Sequence, residues 1–189
     1  MSKKLEETLL ESEEVFRGKI FQVTHDTVKL PNGKEGIRDV VHHNGAVAAV
    51  PITPEGDVYL VKQYRHAVGG IVLEIPAGKI ELGENSNGAI NRELQEEIGF
   101  LPLHTKKLTT IYPTPGYTSE KIEIWLATDL CKMDSPKDSD EFIEVVRMPF
   151  KQLHAAVVNG EIQDAKTAIG VMLASPYYQL MMAQPSVWK

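Results

Sequence analysis

Between Gly78 and Phe100 the chain reads GKIELGENSNGAINRELQEEIGF, and this spacing leaves few folds open. Gly78, Glu84, Arg92, Glu93, Glu96, Glu97 and Gly99 stand in one register, with apolar Leu94 and Phe100 between and after them. At average residue usage, seven identities in a fixed register arise by chance on the order of once in 10⁸ to 10⁹ windows. The local chemistry predicts a loop running into a helix. Asn85 or Ser86 is a fitting helix start and Gly99 a fitting stop. Ile90, Leu94 and Ile98 recur at i, i+4 and i+8, an apolar stripe for a core.

Glu93 and Glu97 are also one turn apart, so their carboxylates lie side by side, with Glu96 one position around. Like charges in that arrangement repel, and a helix gains nothing from them unaided. A hard divalent cation resolves the conflict, because Mg²⁺ takes oxygen from one or two carboxylates and from substrate phosphates. The plain alternative is a solvated acidic face partly neutralised by Arg92, which reaches Glu96 at i, i+4. For an isolated acidic run that alternative would win; with the two glycines, Glu84 and Arg92 in register, it does not.

Composition narrows the function classes. The 189 residues are 42% hydrophobic and 24% charged, the balance of one globular domain with a sizeable core. An excess of 26 acidic over 20 basic residues, net −6, argues against a general nucleic-acid or membrane-surface binder. A site gathering anionic phosphates in such a chain needs metal ions or placed arginines. Cys131 is the single cysteine, which excludes an intrachain disulfide and suits a reducing cytosol. The acidic N-terminus does not read as a signal peptide and no long apolar run is present, so a cytoplasmic location is expected.

Along the chain, the first fifteen residues read as a short amphipathic segment. Two β-rich runs follow, 20–30 and 36–42, joined by the turn Pro31-Asn32-Gly33-Lys34. Further strands are predicted at 46–52, 58–64, 71–75, 103–111, 121–128 and 142–148. Helices are predicted at 150–158 and 165–182, the latter broken near Pro176. The polar stretch 131–140 reads as a mobile loop.

The 78–100 register resembles the Nudix box, and the chain is similar to Nudix hydrolases, in particular the ADP-ribose pyrophosphatase branch. Outside the box the resemblance rests on Leu30-Pro31-Asn32-Gly33, Val61-Lys62-Gln63-Tyr64-Arg65, Glu74-Ile75-Pro76-Ala77-Gly78, Pro115-Gly116, the 140–145 run and Asp164-Ala165-Lys166-Thr167. It implies an α/β fold, an α/β/α sandwich with a mixed β-sheet and an added N-terminal β-hairpin subdomain. It divides the chain into 1–43, β-rich and exchanged in a homodimer, and 44–189, the Nudix hydrolase domain.

The resemblance also implies a reaction: Mg²⁺-dependent hydrolysis of the pyrophosphate bond of ADP-ribose to AMP and ribose 5-phosphate, with Mn²⁺ as a substitute metal. Glu93, Glu96, Glu97 and the Ala77 carbonyl are then the metal ligands, Arg92 orients the glutamates and Glu84 supports them. A loop carboxylate, Asp140, Glu141 or Glu144, activates the water, and spacing does not decide among the three. Arg65 ends a strand and is either a phosphate clamp or a surface ion pair. Phe21, Arg38 and Asp39 are expected to recognise the base, with plain packing the alternative for Phe21. Pro115 and Gly116 would shape the distal ribose pocket, or merely turn the chain, and Glu120 would meet its hydroxyls. The histidines lack metal-ligand spacing. Rival readings are hydrolysis of another nucleotide sugar such as GDP-mannose, a housecleaning triphosphatase, and a non-catalytic ADP-ribose sensor; the intact box and the absence of a basic surface oppose the last.

Overall fold

The computed structural model describes residues 3–133 and 142–184. They fall into two compact units, Met1–Gly45 with Tyr112–Lys121, and Ala46–Ile111 with Ile122–Lys189.

The first unit is a three-stranded antiparallel sheet of β1 (Thr8–Arg17), β2 (Phe21–Lys29) and β3 (Glu35–His43), in that order. Where the sequence read a short amphipathic segment followed by a two-stranded hairpin, the chain after a 3₁₀ turn at Lys3–Leu5 forms β1, a third strand. Its local signal is weak because all ten residues are exposed. Pairing with β2 across two register shifts decides its conformation, a tertiary effect that outweighs local preference. The 112–121 loop joins this unit through Val41. The Val41 N–H donates to the Tyr117 carbonyl at 2.8 Å, and the Ser119 N–H donates to the Val41 carbonyl at 2.9 Å.

The second unit is built on two sheets. One is mixed and four-stranded, in the order β7 (Ala77–Lys79), β4 (Ala46–Pro51), β9 (Ile122–Lys132), β8 (Phe100–Ile111); β4 and β9 are parallel and the other pairs antiparallel. The other is antiparallel, in the order β10 (Glu144–Pro149), β5 (Asp57–Arg65), β6 (Gly70–Glu74). Strand alternation sends side chains to two separate cores. Val47, Ala49, Val61 and Ala127 pack with Ala89, Ile90, Leu94 and Ile98 of α1 (Ser86–Ile98). Ala48, Val50, Ile52, Val58, Leu60, Ile124 and Leu126 pack with Phe150 and Leu153 of α2 (Phe150–Val158) and with Val171, Ala174, Tyr178 and Met181 of α3 (Ala165–Ala183). Helices thus cover both faces of the β layer, the α/β/α arrangement.

Two boundaries differ from expectation. The short strand β7 is hidden in the sequence by Pro76 and Gly78, which read as a break. Helix α3 runs through Pro176 unbroken. Buried Ala174 and Tyr178 on either side hold it to the sheet, and the Tyr178 ring stacks on Phe150 with centroids 4.4 Å apart. That packing outweighs one missing backbone donor.

Candidate active site

The site is assembled from the turn 74–79 and the helix that follows it. Asn85 caps α1, its side chain accepting the Gly88 N–H at 2.8 Å, and Gly99 ends the helix in the left-handed conformation at φ 76°. Between these caps Glu93 and Glu97 lie on the inner side of the helix, 7% and 4% exposed, an unusual burial for carboxylates.

Arg92 organises three of the four box carboxylates. Its Nε donates to Glu84 at 3.1 Å and its Nη2 to the same carboxylate at 3.0 Å. Nη1 donates to Glu93 at 2.8 Å and to Glu96 at 3.0 Å, and Nη2 also reaches the Lys79 carbonyl at 3.1 Å. The hydrogen bonds with Glu84, ahead of attraction by Glu93, hold the guanidinium protonated more firmly than a free arginine. The same bonds hold the Glu84 carboxyl below the usual carboxylate range. Arg92 is therefore bonded to three of the box glutamates, Glu84 among them.

Glu97 accepts the backbone N–H of Ala77 at 3.0 Å, which fixes its carboxylate against the turn. Gly78 is where the Glu93 carboxyl lies on the backbone: a Cβ at that position would overlap its carbon and both its oxygens. The first glycine of the register is thus a space requirement. The chain approaches the helix so closely that no side chain fits.

Among the described residues, no three His, Cys, Asp or Glu side chains converge to close a metal site by themselves. Arg92 draws Glu84, Glu93 and Glu96 toward itself, and the Ala77 N–H holds Glu97. The donor set nonetheless fits a hard cation, since four carboxylates are gathered with one guanidinium among them and Mg²⁺ completes its shell with water and phosphate oxygens.

The remaining candidates are distributed between the units. In the second, Arg65 at the end of β5 binds Glu74 bidentately, Nε at 2.7 Å and Nη2 at 2.8 Å. Of the two alternatives for Arg65, the ion pair is present, but its partner is buried, with Glu74 only 2% exposed. Burial pushes the Glu74 carboxyl up, and Arg65 with Lys166 overcome it, leaving it below its ordinary value. Glu144 opens β10 opposite Lys62, 3.2 Å from the ammonium, on the strand face shared with Val146 and away from α1. Asp140 and Glu141 lie outside the described residues.

In the first unit, Arg38 pairs with Glu7 through Nε at 3.1 Å, and Asp39 with His25 at 2.8 Å. Phe21 is 41% exposed beside Phe16, ring centroids 5.8 Å apart. The turn containing exposed Pro115 and Gly116 and the start of Glu120 belong to the same unit, tied to β3 at Val41. Two groups that the sequence reading named within motifs but gave no role are Glu74 and Lys166. A glutamate inside the apolar run Ile71-Val72-Leu73-Glu74-Ile75 was the available signal, since a charge there requires a buried partner.

Comparison with known proteins agrees with this architecture. Residues 42–167 match the NUDIX domain and residues 7–41 the nucleoside diphosphate sugar hydrolase N-terminal domain. An ADP-ribose pyrophosphatase of Bacillus subtilis is 38% identical, covering 96% of this chain and 97% of its own. A methanol dehydrogenase activator of Bacillus methanolicus is 35% identical, covering 97% and 98%. The crystal structure of an ADP compounds hydrolase superimposes with a TM-score of 0.83 at 27% identity, covering 97% of this chain and 98% of that one. With its box intact and folded as a loop and capped helix, the chain belongs to the Nudix family of hydrolases.

Proposed function

We propose that the protein hydrolyses the pyrophosphate bond of ADP-ribose, giving AMP and ribose 5-phosphate. The observation that carries the reaction class is the crowding of Glu84, Glu93 and Glu96 onto a single arginine, with Glu97 held at the adjoining Ala77 N–H and Gly78 pressed beneath Glu93. That much negative charge beside a backbone turn is poised to take up a cation. The choice of ADP-ribose is supported by the full-length similarity to the Bacillus subtilis enzyme.

Glu93, Glu96, Glu97 and the Ala77 carbonyl would hold Mg²⁺, or Mn²⁺ in its place; the metal supplies Lewis acidity and charge neutralisation at the phosphates. Arg92 keeps the glutamates oriented before any metal binds. Arg65, braced by Glu74, presents its free guanidinium edge to the pyrophosphate. A carboxylate, Glu141 or the β10 residue Glu144, accepts a proton from water as the water oxygen bonds to phosphorus and the P–O–P bond breaks. Phe21, Arg38 and Asp39 are assigned to the base, and Pro115, Gly116 and Glu120 to the distal ribose.

The active species is proposed to be a homodimer in which the N-terminal strands pair between subunits. Edge strand β1 supports this, presenting Leu9, Leu10, Val15 and Phe16, each about half exposed, to solvent. No helix is long and apolar enough to cross a membrane among the described residues, and a cytoplasmic enzyme is proposed.

The test is a product analysis. Purified protein with Mg²⁺ is incubated with ADP-ribose, GDP-mannose and other nucleoside diphosphate sugars. AMP and ribose 5-phosphate, formed with a higher kcat/KM than for any other substrate, are the expected result. GDP-mannose as the better substrate would overturn the assignment and leave the Nudix reaction in place.

A further inference from the structure

We propose that Lys166, in the first turn of α3, is a positioning residue for this reaction: it balances the charge of buried Glu74 so that Arg65 faces the substrate as part of a neutral cluster. The inference rests on the reading of Arg65 as a partner of the substrate phosphates.

Four charged groups form the cluster. Arg65 binds both oxygens of Glu74, and the Lys166 ammonium donates to Glu74 Oε2 and, at 2.9 Å, to Asp164 Oδ1. Glu74 and Lys166 are nearly enclosed, with side chains 2% and 12% exposed, whereas the Arg65 side chain is 41% exposed. Within these four groups two cations and two anions cancel; Glu97, which also acts on Arg65, is untouched by changes at Lys166 or Asp164. Removing the lysine would leave a net negative charge on the group that has to receive a pyrophosphate. Weak screening in a partly buried cluster makes that change strong.

The same turn of helix also holds the chain in place. Asp164 caps α3, accepting the Thr167 N–H at 2.9 Å and the Thr167 hydroxyl. The Thr167 hydroxyl oxygen accepts the Ile75 N–H at 2.8 Å and is fully buried. Consecutive residues Lys166 and Thr167 thus grip consecutive residues Glu74 and Ile75, just ahead of Ala77 and Gly78. The sequence pattern Asp164-Ala165-Lys166-Thr167, otherwise without a role in the reaction, takes one here.

The test separates charge from scaffolding. Lys166→Met should raise KM for ADP-ribose, and the Kd of ADP-ribose measured calorimetrically in EDTA, by about tenfold or more. Its kcat should stay within about threefold of wild type. Lys166→Arg should restore both constants. The decisive variant is Lys166→Met combined with Asp164→Asn, which makes the cluster neutral again while asparagine keeps the helix cap; its KM should return toward wild type. Should Lys166→Met not fold, Asp164→Asn alone makes the opposite change and should tighten binding. Unchanged KM and Kd in Lys166→Met, or a fall in kcat and Tm that the double variant does not reverse in KM, would overturn the proposal while wild-type activity stands. Wild-type protein that neither binds nor hydrolyses ADP-ribose would overturn the reading of the site and this inference with it.

Discussion

Gly78→Ala separates the stability of this protein from its chemistry. The Gly78 backbone lies outside the left-handed region, so alanine meets no conformational penalty of its own. The obstacle is the Glu93 carboxyl, which occupies the space of the new methyl. Those atoms are the far end of a flexible side chain, and the simplest relief is for Glu93 to swing away. That gives up the 2.8 Å bond to Arg92, but Arg92 keeps Glu84, Glu96 and the Lys79 carbonyl. One charge-assisted bond exchanged for hydration costs about 1.5–3 kcal/mol. In a chain of this size that lowers Tm by roughly 3–12 °C. The catalytic cost is expected to be larger, because a displaced Glu93 removes one anionic oxygen donor from the proposed metal site. Comparable losses of a preorganised charged group reduce kcat about 10²-fold or more. Thermal unfolding and kcat at saturating ADP-ribose, with Mg²⁺ titrated, measure the two effects side by side. Wild-type kcat in the variant would refute the role given to Glu93. Loss of activity only together with a collapse of Tm would show that Gly78 serves the fold instead.

Glu97→Gln should keep the fold, since the amide oxygen still accepts the Ala77 N–H, yet lower kcat by about 10²-fold or more through loss of the anionic ligand; near-wild-type turnover in the folded variant would remove Glu97 from the metal site. The folded-state Glu74 carboxyl lies below its ordinary value of 4.5, so its contribution to stability is present above that pH and lost as pH falls through the lower folded value. Denaturation midpoints followed from neutral pH to below 4.5 should therefore drop more in wild type than in Lys166→Met, where one of the two cations lowering it is gone; parallel curves would contradict the pairing. Light scattering should find a dimer at micromolar concentration, dispersed by Phe16→Glu on β1, and a fully active wild-type monomer would count against the exchange of N-terminal strands.

Much of the site was legible in the sequence because it is local. A carboxylate spacing of i, i+4 on α1 follows from helix geometry alone, and Asn85 and Gly99 mark the helix ends by their own backbone preferences. Strands β4, β5 and β9 declare themselves through apolar, β-branched runs, since both of their faces are covered. The same short-range reasoning placed Arg92 beside Glu96.

What it could not supply are relations between distant residues. β1 carries only a weak local signature and is a strand because β2 offers it a partner. Pro176 interrupts a helix in isolation, but here packing on both sides of it carries α3 through. The Pro115-Gly116 loop is attached to β3 by bonds spanning more than seventy residues of chain. Glu74 finds Arg65 nine residues away and Lys166 ninety-two residues away, and only in that company is its buried charge tolerable. The box glycine was visible as a letter in a register, while its reason, the Glu93 carboxyl pressed on its Cα, exists only once α1 is docked on the turn. Short-range backbone preference is written residue by residue; enclosure, charge balance and close approach arise only when the folded chain brings separated segments together.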